Sequence, residues 1–65
     1  MPDAPFVSVE EQIACVRREI AMRKRVYANR VDTGRMSAKT AERETQAMEA
    51  VLATLERLGA AERLL

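Results

Sequence analysis

The chain has 65 residues, a formal net charge of +1, one cysteine and no histidine. A single cysteine excludes a disulfide within the chain, and one Cys without His cannot complete the ligand shell of a structural zinc ion. A chain this short buries little apolar surface by itself. We therefore expect it to self-associate or to dock onto a larger partner.

The composition is typical of a helical bundle. Hydrophobic residues make up 48% of the chain and charged residues 32%, and Phe6 and Tyr27 are the only aromatic residues. No apolar run approaches the roughly 20 residues that span a bilayer, and the first residues lack the basic and apolar regions of a secretory signal. With a lone thiol, which favours a reducing compartment, these features predict a cytoplasmic protein without a membrane segment.

Three features of the sequence predict the secondary structure of residues 1–36. Residues 1–7 carry prolines at positions 2 and 5 and predict an extended arm. Ser8 and Glu11 fit a capping box, in which each side chain bonds the other residue's amide, so helix 1 is expected at about 9–31. Gly34 can adopt the left-handed conformation that ends a helix, which predicts a turn at 32–36.

Ser37 is the predicted N-cap of helix 2, at about 38–58, with Gly59 as the first residue beyond its end. Residues 60–65 form a short tail or an extra turn. A connection of about five residues places two helices side by side and antiparallel. The predicted fold is therefore all-α, an antiparallel two-helix hairpin over residues 8–59.

Apolar residues recur at helical spacing on one stripe of each helix. The two stripes are expected to face each other and to form the hairpin core, which comprises Val9, Ile13, Val16, Ile20, Tyr27, Val31, Ala41, Met48, Val51, Leu52, Leu55 and Leu58.

Charged residues flank these stripes. Antiparallel pairing places Arg17 opposite Glu56 and Lys24 opposite Glu49, so these side chains are predicted to pair and to set the register. Arg23 and Arg30 lie on the other flank, where Glu44 is the nearest partner for them.

Helix 1 also carries a second apolar strip away from the first, and helix 2 offers small residues on the same side of the hairpin. A helix that buries one face does not need the second strip. We expect a second interface there, most simply in a homodimeric four-helix bundle, formed by Cys15, Met22, Val26, Ala47, Ala50 and Thr54.

No catalytic or metal site emerges, and the pattern implies no cofactor. Cys15 has no histidine partner and is expected to behave as a small buried hydrophobe rather than a nucleophile. Tyr27 is expected to cap the stripe with its hydroxyl in water, although an aromatic ring among arginines is also found in single-strand binders. The acidic row at 42, 49 and 56 has carboxylates about 10 Å apart along the axis, too far for one ion.

The segment from 17 to 36 is basic, and about three of its arginines are expected to stay unpaired: Arg18, Arg25 and either Arg23 or Arg30. All four are candidate contacts to a protein or to nucleic acid. Phosphate binding needs basic side chains clustered on one surface. These four are spread around helix 1, which favours binding to a protein over binding to DNA or RNA. A membrane-surface role is less favoured still, because helix 1 uses its best apolar face for the hairpin.

Residues 18–58 resemble a group of short, mostly uncharacterised proteins of phages and prophages. The distinctive parts are "REIAMRKRVY", "GRM" at the turn and "AERETQAMEAV" in helix 2. The resemblance implies an accessory protein of a phage or an integrated element, expressed in the bacterial cytoplasm, and it assigns no functional residues. The expected function is non-enzymatic: the chain self-associates and binds a host or phage protein through helix faces. The alternative is a small DNA- or RNA-binding protein that uses the basic helix 1.

Overall fold

The computed structural model describes residues 6–64, which form two packed α-helices and no strand. Helix α1 spans Val9–Asp32 and helix α2 spans Ala38–Arg63, with 24 and 26 residues. At 1.5 Å per residue they are roughly 36 and 39 Å long. Residues 1–5 of the predicted arm and residue 65 of the predicted tail lie outside the described range.

Both helices begin at a serine cap. The hydroxyl of Ser8 accepts a hydrogen bond from the amide of Glu11 at 3.1 Å, and the hydroxyl of Ser37 accepts one from the amide of Thr40 at 3.0 Å. Each bond satisfies an amide that has no partner inside its helix. Within residues 6–64 the reciprocal bond of the expected capping box does not form. The side chain of Gln12 donates instead to the carbonyl of Val7 at 3.0 Å.

The turn at residues 33–37 is a Schellman motif centred on Gly34, whose φ is 74°. The amide of Gly34 donates to the carbonyl of Val31 at 3.1 Å, and the amide of Arg35 donates to the carbonyl of Arg30 at 2.8 Å. These bonds satisfy the last carbonyls of α1. The chain reverses direction within five residues, so α2 runs back along α1.

The contact between the helices follows positions spaced alternately by four and three residues, the spacing of an antiparallel coiled-coil seam. The seam positions are buried or half-buried: Val9, Ile13, Val16, Ile20, Arg23 and Tyr27 on α1, and Ala41, Thr45, Met48, Leu52, Leu55 and Gly59 on α2. Val31, near the end of α1, is also half-buried.

The core is thin. Ile13 and Ile20 are its most buried large side chains, each 9% exposed, and no side chain of residues 6–64 is less than 2% exposed. One hairpin therefore leaves most of its apolar side chains in contact with water.

The expected end of helix 2 at Leu58 is wrong. Helix α2 continues through Gly59 to Arg63. Gly59 is buried, and a Cβ atom at this position would lie 3.4 Å from both Ile13 Cδ1 and Val9 Cγ1. These are ordinary van der Waals distances, so position 59 belongs to the helix interface and does not terminate the helix.

Two residues assigned to the hairpin core from the sequence lie outside it. Val51 and Leu58 are 48% and 49% exposed. At 100° per residue they point about 100° and 120° away from Leu52, which faces α1. A single neighbouring helix covers only part of the broad apolar stripe of α2.

Candidate interaction surface

One side of the hairpin carries ion pairs between the helices. Arg17 Nη2 lies 2.7 Å from Glu56 Oε2, and Lys24 Nζ lies 3.4 Å from Glu49 Oε1, as the sequence analysis predicted. In each pair the residue numbers of the two partners sum to 73, and this sum gives the register of α1 against α2. A residue n of α1 is therefore level with residue 73−n of α2.

The opposite side of the hairpin carries the large exposed apolar residues of the two helices. We define the apolar face as Cys15, Met22, Val26, Ala47, Val51 and Leu58. Measured as a rotation about the helix axis, these residues lie about 120–160° from Ile20 on α1 and about 100–140° from Leu52 on α2. On both helices the rotation is opposite in direction to the one that leads to the ion-paired side chains. The register places Met22 level with Val51, and Val26 level with Ala47.

The large residues of the apolar face are accessible. Met22 is 46% exposed, Val26 39%, Val51 48% and Leu58 49%, and no other large hydrophobic residue within the two described helices is exposed to this extent. Ala47 is also exposed, and so is Cys15, which was expected from the sequence to be buried. A monomer that scattered its exposed apolar residues at random would not place all of them on one side.

The other two residues predicted for the second interface lie farther around α2. Ala50 and Thr54 are exposed and point about 160° from Leu52, one on each side of the back of the helix. The hydroxyl of Thr54 donates to the carbonyl of Ala50 at 3.1 Å. Thr54 therefore borders the apolar face, whereas Ala50 lies beyond the back of the helix, toward the ion-paired side chains. Val51 and Leu58 form the centre of the apolar face instead, although the sequence analysis placed them in the hairpin core.

One charged pair lies in the middle of the apolar face. Arg23 Nε donates to Glu19 Oε1 at 2.7 Å, and Arg23 Nη1 lies 3.5 Å from the hydroxyl of Tyr27. The expectation that Glu44 would pair with Arg23 is wrong, because Glu19 lies one turn away on the same helix. The bond to Glu19, with a smaller contribution from Tyr27, raises the pKa of Arg23 above its ordinary value. The spacing of four residues was the signal in the sequence that identifies this pair.

The remaining candidate arginines are exposed and separated. Arg18 and Arg25 point about 140–160° from Ile20, on the back of α1, whereas Arg30 points about 80° to the side of the apolar face. None of the three forms an ion pair within residues 6–64. Helix α1 therefore has two separate basic sites and no single dense patch.

A groove of about 440 Å³ opens on the ion-pair side near the turn. It exists because α2 has small residues at its start, where Ala38, Ala41 and Thr45 face Tyr27 and Val31. Its charged lining includes the ion-paired Lys24 and Glu49. The two ends of the hairpin therefore differ, since the helices are in close contact at Gly59 and leave space beside the turn.

Comparison with known proteins gives no relative: no protein-family model matches the chain, and no curated protein or solved structure is significantly similar to it. In residues 6–64 no three His, Cys, Asp or Glu side chains lie together as a metal site, and neither described helix is long and apolar enough to cross a membrane. What the described surface offers chemically is apolar contact on one side and charged side chains around it.

Proposed function

We propose that the protein is a non-enzymatic interaction module that self-associates through its apolar face and binds a second protein through its remaining helix surfaces. The observation that carries this proposal is that four large apolar side chains, Met22, Val26, Val51 and Leu58, are 39–49% exposed on the same side of the hairpin. Contiguous exposed apolar surface marks sites of protein association.

The thin core of the hairpin supports self-association. Within residues 6–64 Ile13 and Ile20 are the most buried large side chains, each 9% exposed. A hairpin that buries so little apolar surface is stabilised when a second copy covers its exposed apolar residues. Two hairpins that cover the apolar face form a four-helix bundle.

The biological setting is part of the same proposal. The resemblance of residues 18–58 to short phage and prophage proteins supports an accessory role in the bacterial cytoplasm, with a host or phage protein as the further partner. The dimer would expose the backs of its helices to that partner, among them Arg18 and Arg25. Charged residues at the rim of an interface direct partner choice and association rate more than affinity.

The experiment is a measurement of molecular mass by light scattering at low micromolar concentration, on the unmodified chain and two variants. Met22→Glu places a charge on the apolar face, and Ala21→Glu places the same charge one residue away, on the ion-pair side. We expect a dimer for the unmodified chain and for Ala21→Glu, and a folded monomer for Met22→Glu. A monomeric unmodified chain, or a Met22→Glu variant that keeps the dimer mass, would overturn the proposal.

A small DNA- or RNA-binding protein is the second candidate. It is favoured by Arg18 and Arg25, which are exposed and free of ion pairs within residues 6–64, and it is weakened by Arg23, which is held by Glu19. Phosphate binding by Arg18, Arg25 and Arg30 should fall steeply as salt is added. A partner bound through apolar contacts should respond little to salt, so the salt dependence of partner binding separates the two candidates.

A further inference from the structure

Resting on the proposed self-association, we propose that the second copy docks antiparallel, with its turn at the opposite end of the bundle. The two-fold axis then crosses each hairpin at the level of Ala21 and Leu52. About this axis the Glu19–Arg23 pairs of the two copies meet and form a cluster of four alternating charges.

The position of the axis follows from the apolar face itself. The mean of positions 15, 22 and 26 on α1 is 21, and the mean of positions 47, 51 and 58 on α2 is 52. The ion pairs place these two levels side by side, because 21 and 52 also sum to 73. A two-fold axis at this level, perpendicular to the helices, superimposes the apolar face of one copy on that of the other.

The Glu19–Arg23 pair favours this axis over the other two-fold arrangement. Glu19 lies about 100° and Arg23 about 60° around the helix axis from Ile20, so both side chains point to the side of the apolar face. Along the helix, Ala21 is midway between them. A two-fold axis perpendicular to the helices stacks α1 of one copy on α1 of the other, with the two helices running in opposite directions. Glu19 of each copy then lies opposite Arg23 of the other. Isologous contacts of this kind are reciprocal, so both pairings form together.

A two-fold axis parallel to the helices would stack α1 on α2 of the second copy. The α2 part of the apolar face consists of Ala47, Val51 and Leu58 and has no basic residue. Glu19 and Arg23 would then lose water against apolar side chains without a new partner of opposite charge. Burying ions without added partners is costly, which disfavours the parallel arrangement.

The charged pair acts on orientation and not on the strength of the dimer. The side chains of Arg23 and Glu19 are 40% and 35% exposed in the single hairpin, so both still contact water. At the interface that water is displaced, and the second copy must replace it. Polar side chains in a helical interface select register and partner number at some cost in stability.

The orientation is tested by the distance between the two turns. Arg35, in the turn, is replaced by p-acetylphenylalanine and coupled to a nitroxide, which leaves Cys15 unmodified, and pulsed dipolar spectroscopy measures the distance. Arg35 is 14 residues from Ala21, so the antiparallel dimer predicts roughly 40 Å between labels. The other axis places the two turns together, under roughly 20 Å apart. A dimer with the short distance overturns this inference and leaves the proposed self-association intact, whereas a monomeric mass overturns both.

The charge cluster is tested by mixing two variants, each of which has lost the pair within its own helix. Glu19→Arg and Arg23→Glu alone should each weaken self-association by at least about tenfold, because like charges then meet across the interface. An equimolar mixture of the two should form heterodimers, detected by native mass spectrometry, with an affinity near that of the unmodified chain. Circular dichroism confirms that each variant stays helical. Single variants that dimerise normally, or a mixture that forms no heterodimer, would overturn the cluster.

Discussion

Replacing Gly59 by alanine should stabilise the hairpin, although this glycine is buried between the two helices. The added Cβ would lie 3.4 Å from Ile13 Cδ1 and from Val9 Cγ1, and 3.6 Å from Arg63 Nη1. These distances are at the lower edge of ordinary van der Waals contact, and each neighbouring atom is the end of a side chain. The methyl group therefore fits without moving the backbone of either helix.

The gain comes mainly from the backbone. Glycine in a helix interior costs about 0.5–1 kcal/mol relative to alanine, and Gly59 lies four residues before the end of α2. We expect Gly59→Ala to raise the free energy of unfolding by about 0.5–1 kcal/mol. For a domain of this size, 1 kcal/mol corresponds to roughly 4–8 °C in Tm.

The assay is urea unfolding followed by circular dichroism, with every variant at the same protein concentration because a dimer couples stability to concentration. Gly34→Ala is the matched control. The φ of Gly34 is 74°, a conformation that costs an alanine about 1–2 kcal/mol, so this variant should lose stability. A Gly59→Ala variant that loses more than about 0.5 kcal/mol would refute the reasoning, since it would mean that the helices are closer in solution than the 3.4 Å contacts allow.

Two further predictions concern the ion pairs and the caps. A double-mutant cycle that reverses the charges of Arg17 and Glu56 should give a favourable coupling of up to about 1 kcal/mol that declines with salt, since both side chains are largely exposed; a coupling of zero would contradict the contribution of the pair to the register. Ser37→Ala should lower the free energy of unfolding by about 1 kcal/mol, because the amide of Thr40 loses its partner, whereas Ser37→Asp should retain most of the stability in the same urea assay.

The parts of the fold that sequence alone predicts are those set by neighbours along the chain. The serine caps and Gly34 each act within a few residues, so the residue types indicate the geometry directly. The ion pairs between helices were also predictable. A turn of five residues leaves little freedom in the register, and heptad spacing then determines which side chains meet.

The parts that sequence missed depend on how the helices cover each other. Gly59 has the residue type of a helix end, yet packing against Val9 and Ile13 keeps it inside α2. Val51 and Leu58 belong to the same broad stripe as Leu52, and periodicity cannot divide such a stripe between two partners. Those two residues lie on the apolar face and not in the predicted core, because α1 covers only one side of α2.

The unequal packing along the hairpin has a consequence for how the chain folds. Contacts near the turn close the shortest loops, so Val31 and Ala41 can meet early at little entropic cost. That end has small residues and the groove, however, while the two most buried side chains, Ile13 and Ile20, lie toward the other end. If the helices pair from the connecting turn onward, the weakly packed helical turns beside the groove must pair first. The isoleucines stabilise the hairpin only after that. The rate-limiting barrier accordingly lies before the Ile13 contacts form, and substitutions at Ile13 should speed unfolding more than they slow folding.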